Sequence, residues 1–297
     1  MNLQAKFRAF KLDTPGSLCS LYKDGAYTLI EARLPIGGIE ALILDLKFHG
    51  KEKLDVLHIT SWDVDHCDQI ELGQILNKLR PDRIEIPGYV PDSDEGKACR
   101  NILLKYDDIY KRKVHNTVEI TPSYVAALPP APSWGSGNVF FTTDPNATKK
   151  NDRSLIKFFR SDSFTVLSLG DCESEGIGQQ LMRYEIFTEE VDVLILPHHG
   201  ADNGFITDAF LKTIKPQVAV ATSNRRNEYG HPRPEVRTLL ANNDIPLMTS
   251  KDGDAYVYHE VGVQHSHYLD TGAASQEKKT GVFVPKKIRK RNIELLG

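Results

Sequence analysis

The sequence has few cysteines and no long apolar run. Four cysteines, at positions 19, 67, 99 and 172, occur among 297 residues, and no two of them form a Cys-x-x-Cys pair. This number and spacing exclude a disulfide framework and a zinc knuckle made of thiolates, so we expect reduced thiols. The longest apolar runs, of about seven residues, are far shorter than the roughly 20 residues that span a membrane. The first segment, MNLQAKFRAFKLD, lacks the apolar core of a signal peptide, and we expect a cytoplasmic protein without membrane contact.

Neither sign of charge is in large excess. The chain has 37 lysines and arginines against 40 aspartates and glutamates, a formal net charge of -3. Binding to nucleic acid would therefore require a local basic patch. We interpret residues 276–297 as a basic tail after a domain of residues 1–275, either a solvated end or an arm that contacts phosphate. Its basic residues are Lys278, Lys279, Lys286, Lys287, Arg289, Lys290 and Arg291.

Strand-like and helix-like segments alternate along the chain. Short β-branched runs occupy the first half, with KDG as a hairpin turn, and FTVLSLGD, VDVLILPHHG and QVAVATS read as buried strands in the second half. This alternation favours an α/β architecture with helices packed outside sheets. We expect a peripheral helical segment at 91–117 and a loop at 121–138. Helical periodicity is present at residues 68–79, 175–187, 206–214 and 234–242.

Acidic and imidazole residues follow apolar strands at four places. The end of a strand holds side chains in fixed geometry at one edge of a sheet, as a metal site requires. Oxygen and imidazole donors without thiolates suit zinc, manganese or iron, with manganese favoured as carboxylates replace histidines. The residues, in chain order, are Asp63, Asp65, His66, Asp171, His198, His199 and His231.

Each of these motifs also has an ordinary structural explanation. An Asp-x-Asp-His loop is often a solvated turn, a Gly-Asp pair after a strand is often a turn, and His231 precedes Pro232 in a loop. Two adjacent histidines at the exit of a buried strand are harder to explain without a partner. Trp62 is either a packing anchor or a platform for a base. The occurrence of all four motifs in one chain favours a shared metal site.

The motifs TSWDVDH, NDRSL, LSLGD, VDVLILPHHG and NEYGHPRPEV, in this order, resemble the metallo-β-lactamase superfamily. Within it they look like the hydrolase domain of ComEC-type bacterial DNA-uptake proteins, over roughly residues 5–262. The resemblance implies a four-layer αββα sandwich and a metal-dependent hydrolase. It also implies a set of metal ligands: Asp63, Asp65, His66, Asp171 and His198.

The chain departs from this family pattern at two places. Ser61 stands where the family has its first histidine, and Asp63 stands at the position of the second. Glu31-Ala-Arg33 replaces the usual Ile-Asp-x-Gly ending of an early strand. The loss of both imidazoles implies one divalent ion, zinc or manganese, or a weakly held pair.

We hypothesise catalytic roles for Asp63, Asp65 and His231. A divalent ion lowers the pKa of water from 15.7 towards about 7, Asp63 or Asp65 orients that water, and His231 stabilises charge or protonates the leaving oxygen. His198 is preferred to His199 as a ligand because it leaves the strand first. The residues expected to orient ligands, fix the loop beneath the site or contact the substrate are His199, Ser61, Asn151, Ser154 and Arg225.

The resemblance implies a phosphodiesterase or nuclease that acts on DNA, RNA or a nucleotide. Two alternatives stay open at this point: a hydrolase of another ester or an amide, because one fold serves many substrates, and a degenerate binding or regulatory module, because of Ser61. A protein partner encoded in the same operon would be compatible with any of the three functions.

Overall fold

The structure is a computed structural model that describes residues 3–109, 116–128, 139–272 and 280–294. Its strands are β1 (Leu3–Ala9), β2 (Cys19–Lys23), β3 (Ala26–Ile30), β4 (Val56–His58), β5 (Arg83–Pro87), β6 (Thr117–Ile120), β7 (Val139–Phe141), β8 (Ile156–Phe159), β9 (Val166–Ser168), β10 (Val193–Ile195), β11 (Val218–Ala221), β12 (Leu247–Thr249), β13 (Ala255–Glu260), β14 (Ser266–Asp270) and β15 (Thr280–Phe283). Its helices are α1 (Gly38–Phe48), α2 (Gln69–Leu79), α3 (Asp94–Leu104), α4 (Tyr106–Ile109), α5 (Pro122–Ala126), α6 (Glu175–Leu181), α7 (Glu185–Glu190), α8 (Asp208–Ile214), α9 (Pro234–Asn242) and α10 (Lys286–Glu294).

The strands form two mixed sheets. The first sheet has the order β15-β14-β13-β1-β2-β3-β4-β5-β6, antiparallel up to β3 and parallel from β3 to β6. The second has the order β12-β11-β10-β9-β8-β7 and is parallel from β12 to β9. In each sheet the carboxyl ends of neighbouring parallel strands lie along one edge, where side chains of separate chain segments meet.

Three apolar cores separate four layers. One core joins α1, α2 and α3 to the first sheet, a second lies between the two sheets, and a third joins α6 to α9 to the second sheet. Phe7 and Val257 of the first sheet, for example, share the middle core with Val193 and Val220 of the second. The predicted α/β class and αββα sandwich are therefore confirmed.

Local sequence signals explain where the elements begin and end. In α2 the Asp68 carboxylate accepts hydrogen bonds from the backbone N–H groups of Ile70 and Glu71, both at 2.9 Å, and so caps the first turn. The KDG turn joins β2 to β3 with positive φ at Asp24 and Gly25, as a two-residue hairpin requires. Three helical predictions match α2, α8 and α9.

The remaining predicted helix, at residues 175–187, is two helices in the structure, α6 and α7. The backbone at Tyr184 is extended, with φ -99° and ψ 116°, so the helical hydrogen bonds cannot continue through it. Two glycines in α6 also weaken that helix, because glycine loses more backbone entropy on ordering than other residues. The sequence periodicity continues across this break because both helices pack against the same core.

The predicted tail contains β15, which pairs with β14, and α10, whose basic side chains bind the body of the chain. Lys286 donates to two backbone carbonyls, and Lys290 and Arg291 form ion pairs with Glu189 and Asp162. The boundary predicted at residue 275 lies outside the described residues, as do 129–138 of the predicted loop and 110–115 of the predicted helical segment. Among the helices that the structure describes, none has the length and apolar character to cross a membrane.

Candidate metal centre

Three of the four sequence motifs meet where the edges of the two sheets face each other, and the fourth, which contains His231, lies beside them. Asp65 and His66 follow β4 of the first sheet, whereas Asp171 follows β9 and His199 follows β10 of the second. One donor atom from each of these four residues lies within 4.8 Å of the other three. His66 Nε2 is 2.9 Å from Asp171 Oδ1, and His199 Nε2 is 3.2 Å from Asp65 Oδ2. We call these four residues the donor cluster.

Two atoms of the donor cluster are buried without a hydrogen-bond partner. His66 Nε2 and Asp171 Oδ1 approach each other closely, but their geometry is not that of a hydrogen bond. Buried polar atoms seldom lack a hydrogen bond, and here the desolvation is offset by the charge attraction between a protonated His66 and Asp171. A divalent cation between them would satisfy both atoms. Two imidazoles and two carboxylates without a thiolate are also a donor set that zinc or manganese accepts. The residues therefore fit a divalent ion.

The electrostatics of the donor cluster hold protons in the absence of a cation. Burial disfavours the charged form of His66, but Asp171, Glu31 and Asp65 outweigh it and hold the pKa of His66 well above its ordinary value. Burial likewise opposes the charge of His199, whose pKa is raised by its hydrogen bond to Asp65 and by Asp171. Cation binding must displace these protons, so metal affinity is expected to fall as the pH falls.

Both imidazoles of the donor cluster are oriented by a partner on their Nδ1 side. Nδ1 of His199 donates to the carbonyl oxygen of Thr222 at 2.6 Å, which leaves its Nε2 free to face the cluster. Nδ1 of His66 lies 3.2 Å from Oε1 of Glu31, and the Glu31 carboxylate is itself held by the backbone N–H and hydroxyl of Thr60, at 3.0 and 2.5 Å.

The sequence did not reveal that Glu31 and Thr222 orient the imidazoles of His66 and His199. Glu31 was noted only as a departure from a family motif, although it directly follows β3. The signal that could have identified it is a charged residue at the end of an apolar strand. The neighbouring departure, Arg33, is also buried and donates to the backbone carbonyls of Pro15 and Val64, at 2.7 and 2.9 Å. It thereby fixes the loop that carries Asp65 and His66.

The structure places His199 in the donor cluster and His198 outside it, whereas the sequence interpretation named His198 as the ligand. His198 Nδ1 instead lies 2.9 Å from Oε1 of Glu173. The physical reason is local. After Pro197 both histidines adopt left-handed backbone angles, with φ 46° and 55°, so the alternation of a strand does not apply to them.

Ser61 and Asp63 lie beside the donor cluster and bind other partners. Asp63 Oδ1 accepts a hydrogen bond from Lys150 Nζ at 2.8 Å. The Ser61 hydroxyl accepts from the backbone N–H of Asp63 at 3.3 Å and lies 3.5 Å from the hydroxyl of Tyr89. Trp62 is buried, and its indole N–H donates to the Tyr89 carbonyl at 3.0 Å. Trp62 is therefore a packing anchor and does not offer a platform for a base.

His231 lies next to His198, with ring centroids 5.6 Å apart. Its Nδ1 is buried without a hydrogen-bond partner. Burial, together with the nearby His198 and His199, lowers the pKa of His231 to about 4, so this imidazole is neutral at neutral pH. His231 thus offers a neutral ring close to the donor cluster.

The remaining predicted residues lie around the same edge. Asn151 Nδ2 donates to Glu173 Oε1 at 2.7 Å, on the carboxylate that also binds His198. Ser154 is buried beneath Gly170, whose φ of 54° and close contact leave no room for a larger residue before Asp171. Arg225 is exposed and pairs with Asp252 at 3.2 Å.

Comparisons with known proteins give likenesses of fold. No protein-family model and no curated protein matches the chain. A solved structure of a metallo hydrolase from the hyperthermophilic archaeon Ignicoccus hospitalis has a TM-score of 0.47 and 14% identity, and covers 86% of this chain and 99% of that one. A candidate metallo-beta-lactamase from Thermotoga maritima has a TM-score of 0.36 and 11% identity, and covers 62% of this chain and 85% of that one. At such values these likenesses carry no conclusion about activity.

Proposed function

We propose that this chain is a metal-dependent hydrolase whose donor cluster binds the ion, and that it cleaves a phosphodiester of DNA, RNA or a nucleotide. The observation that carries this proposal is the pair of buried, unsatisfied donor atoms, His66 Nε2 and Asp171 Oδ1, inside a cluster of four candidate ligands. An apolar core gains nothing from burying these two groups, because their desolvation is offset only by the charge attraction between them.

The surrounding residues have distinct tasks in this proposal. A divalent ion in the donor cluster supplies Lewis acidity and lowers the pKa of water to about 7. Glu31 and Thr222 keep the Nε2 atoms of the two imidazoles directed at the ion. Asp65 has a side chain that is 29% exposed, against 4% for Asp171, so it is placed to accept a hydrogen bond from an entering water.

Exposed cations near the donor cluster favour an anionic substrate. Lys149 and Lys150, with side chains 62% and 60% exposed, belong to the segment whose Asn151 binds Glu173. Arg225 and Arg233, 79% and 45% exposed, belong to the loop that carries His231. Each of these cations is paired with a carboxylate, of Glu173, Asp63, Asp252 and Glu235 in that order, so they offer an anionic substrate exposed N–H donors without a net positive charge. These cations therefore support the phosphodiester over the carboxylic ester or amide.

The test compares metal content and hydrolysis in two neighbouring variants. Protein treated with EDTA and reloaded with Mn²⁺, Zn²⁺ or Mg²⁺ is assayed on bis(p-nitrophenyl) phosphate, single-stranded DNA, RNA and p-nitrophenyl acetate. We expect His199→Ala to lose the bound ion and to reduce kcat/KM on phosphodiesters by about 100-fold or more. His198→Ala should keep the ion.

His267→Ala is the matched control, because His267 stacks on Tyr258 away from the donor cluster. Hydrolysis that His199→Ala leaves unchanged would place the chemistry elsewhere. Hydrolysis of the acetate ester alone would favour the second function considered above. Purified protein that binds no divalent ion would favour a degenerate binding module.

A further inference from the structure

A lysine ammonium of the chain binds a carboxylate of the loop that carries Asp63 and Asp65. Lys150 Nζ binds Asp63 Oδ1 at 2.8 Å, across 87 positions in the sequence. The same ammonium is also attracted by Asp65, a member of the donor cluster. Lys150 therefore lies against the loop that carries Asp63 and Asp65, with 60% of its side chain exposed to solvent.

Two further side chains that could bind a second ion already have other partners. Ser61 offers only a neutral hydroxyl, which accepts the backbone N–H of Asp63. His198 lies 2.9 Å from Glu173. Among the residues that the structure describes, a single set of three or more candidate donors comes together, and it contains neither Asp63 nor His198. A second cation at Asp63 would have to break the Lys150 ion pair and would then lie next to an ammonium that repels it.

We infer that the centre holds one divalent ion and that Lys150, fixed by Asp63, supplies the second positive charge and binds an anionic oxygen of the substrate. This inference rests on the proposed metal-dependent function and specifies its substrate contact. An ammonium has three N–H donors, and the side chain of Lys150 is 60% exposed, so donors remain for a substrate after one has bound Asp63.

The ion pair also keeps Lys150 in place. A lysine amine is protonated at neutral pH, and its 2.8 Å contact with Asp63 Oδ1 fixes its position. Asp63 thus positions Lys150, and it does so without contributing to the donor cluster. The contact with Lys150 explains why Asp63 occupies the first position of the Asp-x-Asp-His motif.

The experiment measures metal stoichiometry and anion binding separately. Wild-type protein and the variants Lys150→Met, Lys150→Arg and Lys212→Met are stripped, titrated with Mn²⁺ in a calorimeter, and analysed for bound metal after desalting. The loaded proteins are then titrated with inorganic phosphate and with acetate. Lys212→Met is the matched control, because Lys212 is 66% exposed and forms an ion pair with Asp208 at 2.6 Å on α8, outside the centre.

We expect one tightly bound ion in the wild type and in all three variants. Phosphate binding should weaken about tenfold or more in Lys150→Met, recover largely in Lys150→Arg, and remain unchanged in Lys212→Met. Acetate, with less charge, should depend less on Lys150.

Four results would each contradict either this inference or the proposed function, and they can be told apart. Wild-type protein with two tightly bound ions overturns this inference and leaves the metal-dependent function standing. The role of Lys150 is overturned if the wild-type protein holds one ion but does not bind phosphate. It is also overturned if Lys150→Met and Lys212→Met bind phosphate equally well. Wild-type protein without any bound ion overturns the proposed function itself and this inference with it.

Discussion

The carboxylate of Glu31 reaches His66 from the end of a neighbouring strand. β3 and β4 pair in parallel, with Ile30 beside His58, so the residue after β3 lies next to the loop after β4. Glu31 has a positive φ of 72°, which is uncommon for a residue other than glycine. Its hydrogen bonds to Thr60 and its contact with His66 hold that conformation. The strained residue is therefore one that positions a candidate ligand.

We predict that Glu31→Gln weakens metal binding about 10–100-fold, because partners that orient a ligating histidine have effects of this size. The amide keeps the shape of the side chain but removes the charge that faces His66 Nδ1. Competition with a fluorescent chelator measures the affinity, and Glu40→Gln on the exposed side of α1 is the control. Equal affinities for both variants would show that Glu31 has only a structural role.

Three residues of the donor cluster were predictable and one was not. Asp65, His66 and Asp171 lie in the loops after β4 and β9, and the position of a residue after an apolar run can be read from the sequence. The choice between His198 and His199 depends on left-handed backbone angles that follow Pro197, and no pattern in the sequence gives them. The roles of these four residues as ligands stay predictions until metal binding is measured.

At the scale of elements, α10 is attached to the second sheet through Asp192, which precedes β10. Asp192 Oδ1 accepts the backbone N–H of Lys286 at 2.9 Å, and Oδ2 accepts the backbone N–H of Thr165 at 3.0 Å. Lys286 in turn donates to carbonyls of Thr188 and Ile214, near the carboxyl ends of α7 and α8. A cation suits these positions because the helix dipole is negative there.

We predict that Asp192 makes the stability of the fold depend on pH. Burial raises the pKa of Asp192 to about 7 in the folded chain, against about 4 when unfolded. Between these values the unfolded chain releases the proton and the folded chain keeps it, so stability falls as the pH rises from about 4 to about 7. Asp192→Asn should lack this loss, which is at most about 4 kcal/mol.

Urea unfolding of both proteins at several pH values measures this effect, with the exposed Asp13→Asn as the control. The free-energy difference between wild type and Asp192→Asn should shift in favour of the variant as the pH rises. A difference that stays constant from pH 4 to pH 8 would contradict the prediction.

At the scale of the whole molecule, a buried ionic cluster joins the two sheets. Lys157 of β8 pairs with Glu85 of β5, and Glu85 lies 3.1 Å from Nδ1 of His58 of β4. Lys157 is fully buried, and its ammonium lies 4.6 Å from the ring centroid of Phe159. Charges in such a place are tolerated because each has an opposite partner.

We predict that Lys157→Met destabilises the fold by about 3–5 kcal/mol. The variant leaves the Glu85 carboxylate buried, with the half-exposed Arg83 as its remaining cationic partner. The double variant Glu85→Gln/Lys157→Met should lose clearly less, since neither charge then remains unpaired. Chemical denaturation measures both, with the exposed pair of Lys97 and Asp94 as the control through Lys97→Met. A double variant that loses the sum of the single effects would contradict this account.

The architecture was predictable from the sequence, but the contacts between the sheets were not. The alternation of apolar strands with helical periods indicated helices packed outside sheets, and the four-layer order that the family resemblance implied is present in the structure. Lys157 stands within the run Ile156–Phe159, and the partner of a charged residue in such a run lies on a distant strand. The pairing of layers therefore depends on long-range contacts that periodicity does not record.

The donor cluster draws two residues from each sheet, Asp65 and His66 from the first and Asp171 and His199 from the second. An ion bound there would join the two layers at this edge, next to the backbone hydrogen bond from the Leu155 N–H to the Thr60 carbonyl at 2.9 Å. Because such binding adds to the free energy of unfolding, the melting temperature of the chain should report how fully the centre is loaded. Removal of the ion by a chelator would then weaken the contact between the sheets first at that edge. Faster amide hydrogen exchange in the loop after β4 would be its earliest sign.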